Sequence, residues 1–114
     1  MKRRGVEAKL IISAAQGDVA APDESLIALL ARSHRWLDQL AAGEFGSARQ
    51  IARSEGINAS EVSRIIQLAF LAPDIVEAVL AGRQPIELTP RRLMRIGELP
   101  LEWRRQRRLL GFPT

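Results

Sequence analysis

The sequence predicts a mainly α-helical fold, a helical bundle with a central helix-turn-helix and one short strand near the N-terminus. Leu, Ile, Val and Ala recur at the three- and four-residue spacing of amphipathic helices. Residue pairs that cap helix starts occur twice near the middle of the chain, and a Gly follows several of the apolar stretches. The 114 residues suffice for one domain with a single core.

Two regions are predicted, an N-terminal arm over 1–22 and a helical domain over 23–114. Within the arm, the segment from Val6 to Ser13 alternates loosely in polarity, which is typical of one short strand or an extended segment. A lone strand is not stable, so we expect it to pack on the helices or on a partner. The first long helix is expected from Asp23 to Ala42, with Gly43 as its C-cap.

The segment 47–69 has the pattern of a helix-turn-helix. Ser47 and Asn58 each precede a Gln or Glu by three residues, so each is expected to begin a short helix. Ala52 provides the small side chain where the two helices cross, and Gly56 tolerates the left-handed backbone of the turn. The alternative is a plain helical hairpin with a glycine turn. The apolar positions that the interior of the motif requires are Ile51, Ile57, Val62 and Ile65.

Three more helices are predicted in the C-terminal half. One follows Pro73 and ends before Gly82, one begins after Thr89 and Pro90 and continues to about Ile96, and one runs from Pro100 through Leu110. We expect Trp103 of the last helix to lie in the core. The other apolar residues expected to pack there are Leu101, Leu109, Leu110 and Phe112.

Positive charge is concentrated in the last third of the chain. The net charge is +4, and 15 of the 17 basic residues are Arg, whose planar guanidinium matches phosphate and guanine. Basic and acidic residues balance within 1–46 and within 47–83, whereas 84–114 holds seven Arg against three Glu. The surplus therefore lies outside the helix-turn-helix. A solvated face is the alternative interpretation of such a run.

Composition argues against several classes of function. The chain has no Cys and a single His, His34, so we expect no disulfide, no metal site and no cofactor. Without a nucleophile paired with a base we expect neither an enzyme nor a small-molecule substrate. No stretch is apolar for long enough to span a membrane. The lack of Cys fits a reducing cytosol, so a cytoplasmic protein is expected, and it would be nucleoid-associated if it binds DNA as the helix-turn-helix implies. His34 is expected to be an ordinary structural or surface residue, with a phosphate contact as the alternative.

The outward face of the second short helix contains the candidate base-reading residues. The start of this helix enters the major groove in helix-turn-helix proteins. Arg64 can bind guanine bidentately and Gln67 can pair with adenine, while Glu61 is expected to complete the cap. Arg49 and Arg53 lie on the first helix, which crosses the DNA backbone, so they are candidates for phosphate contacts. The full set of candidates on the second helix is Asn58, Ser60, Ser63, Arg64 and Gln67.

The C-terminal arginines are a second group of candidates. They fall on two predicted helices, where they would contact DNA phosphates and steepen the salt dependence of binding. A dimer interface with an arginine rim, or a basic helix on a membrane, is the alternative. The residues expected to bind DNA here are Arg91, Arg92, Arg95, Arg104 and Arg105.

The stretch from Ile51 to Pro85 resembles the helix-turn-helix region of ParB/KorB-type partition proteins, whose recognition helix is followed by a similar L-x-P-x-I-x-x-A-x-x-x-G segment. The chain from Val6 onward is also similar to the C-terminal segment of large bacterial serine recombinases, including L-A-R-S-H-R-W-L-D-Q-L and L-P-L-E-W-R-R-Q-R-R-L-L-G-F. Those sequences usually have S-Y-V-S-R where this chain has Ser60-Glu61-Val62-Ser63-Arg64, so an aromatic DNA contact is missing. The recombinase catalytic domain has no counterpart here.

The resemblance implies DNA binding without strand cleavage. The expected function is that of a DNA-binding protein of a phage or mobile element, acting as a regulator or as an accessory in recombination or partition. Its expected partners are double-stranded DNA and a second copy of the chain in a homodimer. The alternative is a protein–protein interaction module that keeps the helix-turn-helix shape without binding DNA. The charge balance of 47–83 and Glu61 favour that alternative.

Overall fold

The computed structural model describes residues 22–113, which form a mainly helical bundle as predicted. The strand expected between Val6 and Ser13 lies outside the described residues, as does nearly all of the predicted arm. Within the described range there are six α-helices, one 3-10 turn and no strand. The elements are α1 (Glu24–Ala41), α2 (Ala48–Glu55), α3 (Ala59–Ile66), the 3-10 turn (Gln67–Phe70), α4 (Pro73–Leu80), α5 (Pro90–Arg95) and α6 (Trp103–Leu110).

Local capping explains where most helices begin. The carboxylate of Asp23 accepts a hydrogen bond from the backbone N–H of Leu26, and the Thr89 hydroxyl accepts one from the N–H of Arg92. Each bond satisfies a donor that the first turn of a helix leaves free. Pro73 occupies the first turn of α4, where its missing N–H costs nothing. The predicted starts of α1, α4 and α5 are confirmed to within one or two residues.

The core consists of two apolar clusters that meet along α1. The larger one joins α1 to the 3-10 turn and to the three C-terminal helices, with Leu26, Leu30 and Ile75 fully buried. The smaller one joins α1 to the helix-turn-helix through Trp36, which is 1% exposed. Because α1 contributes to both clusters, it holds the helix-turn-helix and the C-terminal helices on one scaffold.

The start of α6 corrects three expectations. The helix begins at Trp103 rather than at Pro100, and Trp103 itself is 50% exposed instead of lying in the core. Leu101 is 85% exposed and does not join the apolar side of α6, whereas Leu109, Leu110 and Phe112 do. The side chain of Gln106 donates to the carbonyl of Pro100, which lies outside the helix. Trp103 is the first residue of α6, and although helical spacing places it on the same side as Gln106 and Leu110, it lies at the exposed end of that side.

Candidate nucleic-acid interface

Helices α2 and α3 form the predicted helix-turn-helix. Gly56 ends α2 with φ 74°, in the left-handed region that favours glycine, and its N–H donates to the carbonyl of Ala52 at 2.9 Å. The N–H of Ile57 donates to the same carbonyl at 3.1 Å. This pair of bonds closes the turn at Gly56, and α3 begins three residues later at Ala59. The two short helices and the left-handed turn that the sequence predicts between them are confirmed.

The inner face of the motif is packed on α1. Ile51 and Ala52 of α2, together with Val62 and Ile65 of α3, are buried around Trp36. Ile57 lies partly buried at the edge of the same cluster, where the sequence places the residue that plugs the turn. These contacts determine the rotation of α3 about its own axis, and therefore which of its side chains face outward.

Both helix starts of the motif are capped by side chains. Ser47 Oγ accepts a hydrogen bond from the N–H of Gln50, and the Gln50 side chain accepts one from the N–H of Gly46 at 2.7 Å. Asn58 Oδ1 accepts from the N–H of Glu61 at 2.8 Å and from the Ser60 hydroxyl at 2.8 Å. Asn58 and Ser60 are therefore held in place by each other before any partner binds.

The outward face of α3 presents most of the predicted base-reading residues. Ser63 and Arg64 are exposed on α3, and Arg64 forms no ion pair among the described residues. Glu61 is half-buried beside them. The exposed residues that the structure brings together at the motif are Asn58, Ser60, Ser63 and Arg64 on the α3 side and Arg49 and Arg53 on α2.

Gln67 does not belong to that face, which corrects the expectation that it reads an adenine. Its amide nitrogen donates to the carbonyl of Gly97 at 2.6 Å, and its amide oxygen accepts from the N–H of Leu99 at 2.9 Å. Both polar atoms of the side chain are thus engaged with the loop after α5. Gln67 connects the end of α3 to that loop instead of pointing at a groove.

The arginines of α5 line an open cleft. Arg91, Arg92 and Arg95 are all exposed, and α5 packs against both α1 and α3. The cleft has a volume of about 380 Å³ and is completed by Thr89, Ile96 and Leu109. Arg92 donates from its guanidinium to the carbonyl of Leu109 at 3.1 Å, which joins α5 to α6.

Two of the four arginines of α6 are paired with carboxylates. The guanidinium of Arg107 donates two hydrogen bonds to the carboxylate of Asp74, at 2.8 and 3.2 Å. Arg105 Nε lies 3.1 Å from Glu102 Oε1, one helical turn earlier on the chain. The hydrogen bond and charge of Arg107 lower the pKa of the Asp74 carboxyl below its ordinary value. The positive charge of α6 is therefore partly neutralised within the fold, while Arg104 and Arg108 remain exposed and unpaired within 22–113.

Sequence reasoning missed the side chains that hold α6 in place. Gln106 is 0% exposed and forms three hydrogen bonds, and the Asp74–Arg107 pair joins α4 to α6. One signal was available for Gln106, because it precedes Leu110 by four residues and therefore lies on the apolar side of the helix. No local signal indicates the partner of Arg107, which is 33 residues away.

Other features bear on the classes of function that composition argued against. Across residues 22–113 there is no group of three or more His, Cys, Asp and Glu side chains that could hold a metal ion. Nor is any helix in that range sufficiently long and apolar to cross a membrane. His34 is 6% exposed on α1, away from the outward face of α3. Comparisons with models of protein families, with curated proteins and with solved structures gave no match.

Proposed function

We propose that the protein binds double-stranded DNA and places the exposed side of α3 in the major groove. The observation that carries the proposal is the two-sidedness of α3. Val62 and Ile65 attach the helix to α1 and α2, while its opposite side presents polar side chains and one arginine to solvent. This is the arrangement in which helix-turn-helix proteins insert their second helix into DNA.

Arg64 is the residue best suited to read a base. Its guanidinium is exposed and has no carboxylate partner among the described residues, so it is free to bind O6 and N7 of a guanine. Ser63, next to it, is a short donor that suits a base edge or a phosphate. Asn58 and Ser60 are already bonded to each other, so they support backbone contacts at the helix start.

Arginines outside α3 supply the attraction for the DNA backbone. Arg49 and Arg53 are exposed on α2, which crosses the backbone in this architecture. Since 47–83 carries no net charge, the remaining attraction comes from the C-terminal segment, which holds the surplus of +4. A second copy bound at an adjacent half-site would lengthen the sequence that is read.

Since the proposed activity is DNA binding without a chemical step, the protein would act through binding alone. The protein would act as a regulator, or as an accessory in recombination or partition on a phage or mobile element. That narrower role rests on the sequence resemblance alone. The physical proposal concerns DNA binding and does not depend on it.

A protein–protein interaction module is the competing proposal. It is favoured by the absence of net charge in 47–83 and by the exposure of Phe70, Leu101 and Trp103. In that case the outward face of α3 or this apolar surface would contact another protein, and DNA would bind weakly or not at all.

A binding measurement separates the two proposals. We expect a labelled random-sequence duplex to bind at low salt, with an affinity that falls steeply as salt rises. Selection of bound sequences from a pool of random DNA duplexes is expected to yield a preferred site. Arg64→Ala should reduce the preference for that site by roughly tenfold to a hundredfold, which is the usual value of one bidentate arginine–guanine contact.

Arg83→Ala is the matched control. Arg83 is exposed, follows α4 and lies outside the proposed interface, so its removal changes the net charge equally without touching α3. We expect the site preference of Arg83→Ala to equal that of the wild type. If the folded protein binds no duplex at low salt, or if both variants lose preference equally, the DNA proposal is wrong.

A further inference from the structure

The cleft between α5 and α6 has the composition of an anion site. Of the described residues, six line the cleft; Arg91, Arg92 and Arg95 are three of them, and none of the six is a carboxylate. Helical spacing places Arg91 and Arg95 four residues apart, on one face of α5. Its wall is apolar at Ile96 and Leu109.

The arginines of the cleft differ in how they are held. Arg92 is fixed across the cleft by its bond to the carbonyl of Leu109. Arg91 and Arg95 form no ion pair within the described part of the chain, in contrast to Arg105 and Arg107 of α6. The cleft therefore combines one positioned guanidinium with two that are free to close on a ligand.

The arginines of the cleft repel one another. Like charges four residues apart on a helix are unfavourable, and none of the described residues that line the cleft is a carboxylate. An anion between the arginines would remove that repulsion. The three arginines, the cleft that they line and the lack of a carboxylate among its described lining residues all favour an anionic ligand.

We infer that this cleft is a phosphate-binding site in which Arg91, Arg92 and Arg95 surround one phosphate group. The phosphate comes either from the DNA backbone or from a free phosphate compound. Assigning it to the backbone rests on the proposed function and is supported by the contact of α5 with α3. Gln67, which bonds the end of α3 to the loop after α5, would then hold the phosphate site at a constant distance from the recognition helix.

The first test uses inorganic phosphate and no DNA. Thermal unfolding of the full chain is measured in sodium phosphate and in sodium chloride of equal ionic strength, with wild type, Arg95→Gln and the charge-matched control Arg83→Gln. Binding to the folded state raises the midpoint, and we expect a rise of roughly 5 °C for wild type and Arg83→Gln. Phosphate stabilises proteins generally, so binding at the cleft is measured as the difference between the rise in midpoint for wild type and the rise for Arg95→Gln.

The second test identifies the source of the phosphate. If the phosphate belongs to the DNA backbone, Arg95→Gln weakens binding to all duplex sequences by a similar factor and keeps the site preference. The plot of log affinity against log salt should also become less steep, with the magnitude of its slope reduced by about one. Arg83→Gln should change that slope less. If the phosphate response in unfolding is present but the slope is unchanged, the site takes a free phosphate compound.

The inference is overturned if Arg95→Gln and Arg83→Gln behave alike in both tests, since the arginines would then act only through net charge. This outcome is distinct from failure of the proposed function. That failure appears as absence of duplex binding or of an Arg64→Ala effect, and it leaves the phosphate measurement without DNA intact.

Discussion

The side-chain oxygen of Gln106 lies 2.8 Å from the backbone nitrogen of Ala72 and accepts its hydrogen bond in the interior of the protein. The amide nitrogen of the same side chain donates to the carbonyls of Phe70 and Pro100, at 3.1 and 2.8 Å. Ala72 and Gln106 are both fully buried, so water cannot replace these bonds. One side chain thereby connects α6 to the segment that follows the helix-turn-helix.

Gln106→Ala should strongly destabilise the protein. The substitution leaves the Ala72 N–H without its acceptor and removes both bonds donated to carbonyls, and we expect a loss of about 3 kcal/mol in the free energy of unfolding. Urea denaturation measures it. Arg104→Ala, an exposed change two residues earlier, should stay within about 0.5 kcal/mol of wild type. Equal values for the two variants would contradict the role of Gln106.

Gly56→Ala should cost about 1 to 2 kcal/mol of unfolding free energy. Apart from its neighbours along the chain, no atom lies within 4 Å of the position that a Cβ would take, so the cost comes from the left-handed backbone and not from a clash. Gly56→Asn should cost less, because Asn adopts this conformation more readily. Gly46→Ala is the control, since Gly46 is not among the glycines with positive φ. Chemical denaturation of the three variants would show the expected order, and a neutral Gly56→Ala would contradict it.

Two substitutions at Asn58 should separate stability from binding. Asn58→Ala removes the cap on α3 and is expected to cost about 1 kcal/mol of unfolding free energy. Asn58→Asp keeps an acceptor for the N–H of Glu61 and places a negative charge at a helix start, so stability should be retained. That charge repels phosphate, so Asn58→Asp should nevertheless bind duplex DNA more weakly than Asn58→Ala. If Asn58→Asp binds as tightly as wild type, the start of α3 does not face DNA.

The Asp74–Arg107 pair should contribute to stability in a pH-dependent manner. The folded protein has a lowered pKa at Asp74, so the contribution is fully present above the ordinary carboxyl value of 3.8 and disappears as pH falls through the folded-state value. Asp74→Asn should therefore be slightly less stable than wild type at about pH 7, and the difference should disappear as pH falls through the lowered pKa of Asp74. The effect is small because the Asp74 side chain is 58% exposed.

Denaturation of both proteins across that range checks the prediction. Glu102→Gln is the control, because the Arg105–Glu102 pair is more exposed and joins neighbouring residues of one helix start. We expect its stability to follow that of wild type closely. A difference between Asp74→Asn and wild type that persists unchanged at low pH would contradict the assignment to this ion pair.

Much of the helix-turn-helix could be predicted because its signals are local. Ser47, Asn58 and Gly56 act on backbone groups within four residues, so their positions in the chain suffice to identify helix ends. The buried set around Trp36 follows from the 3.6-residue period. These two kinds of signal also determine that Arg64 faces outward.

The places where prediction failed depend on distant residues. Gln67 was expected to face DNA, and its partners are 30 and 32 residues away. Trp103 was expected in the core, but it is the first residue of α6, and on its side of the helix only the later residues Gln106 and Leu110 are buried. Neither outcome can be obtained from periodicity, which indicates the side of a helix that is buried but neither the partner of a polar side chain nor how far the core extends along the helix.

By itself, the sequence determined the helices, their caps, the left-handed turn at Gly56 and the concentration of arginine near the C-terminus. The tertiary structure alone decided that Gln67 and Gln106 serve as internal connections, that Asp74 neutralises Arg107, and that α5 lines a cleft whose described residues include no carboxylate. The physical reason is the distance along the chain between the groups that interact. Capping and backbone conformation act within one helical turn, whereas a buried amide or an ion pair takes its partner from whichever segment packing brings within about 3 Å.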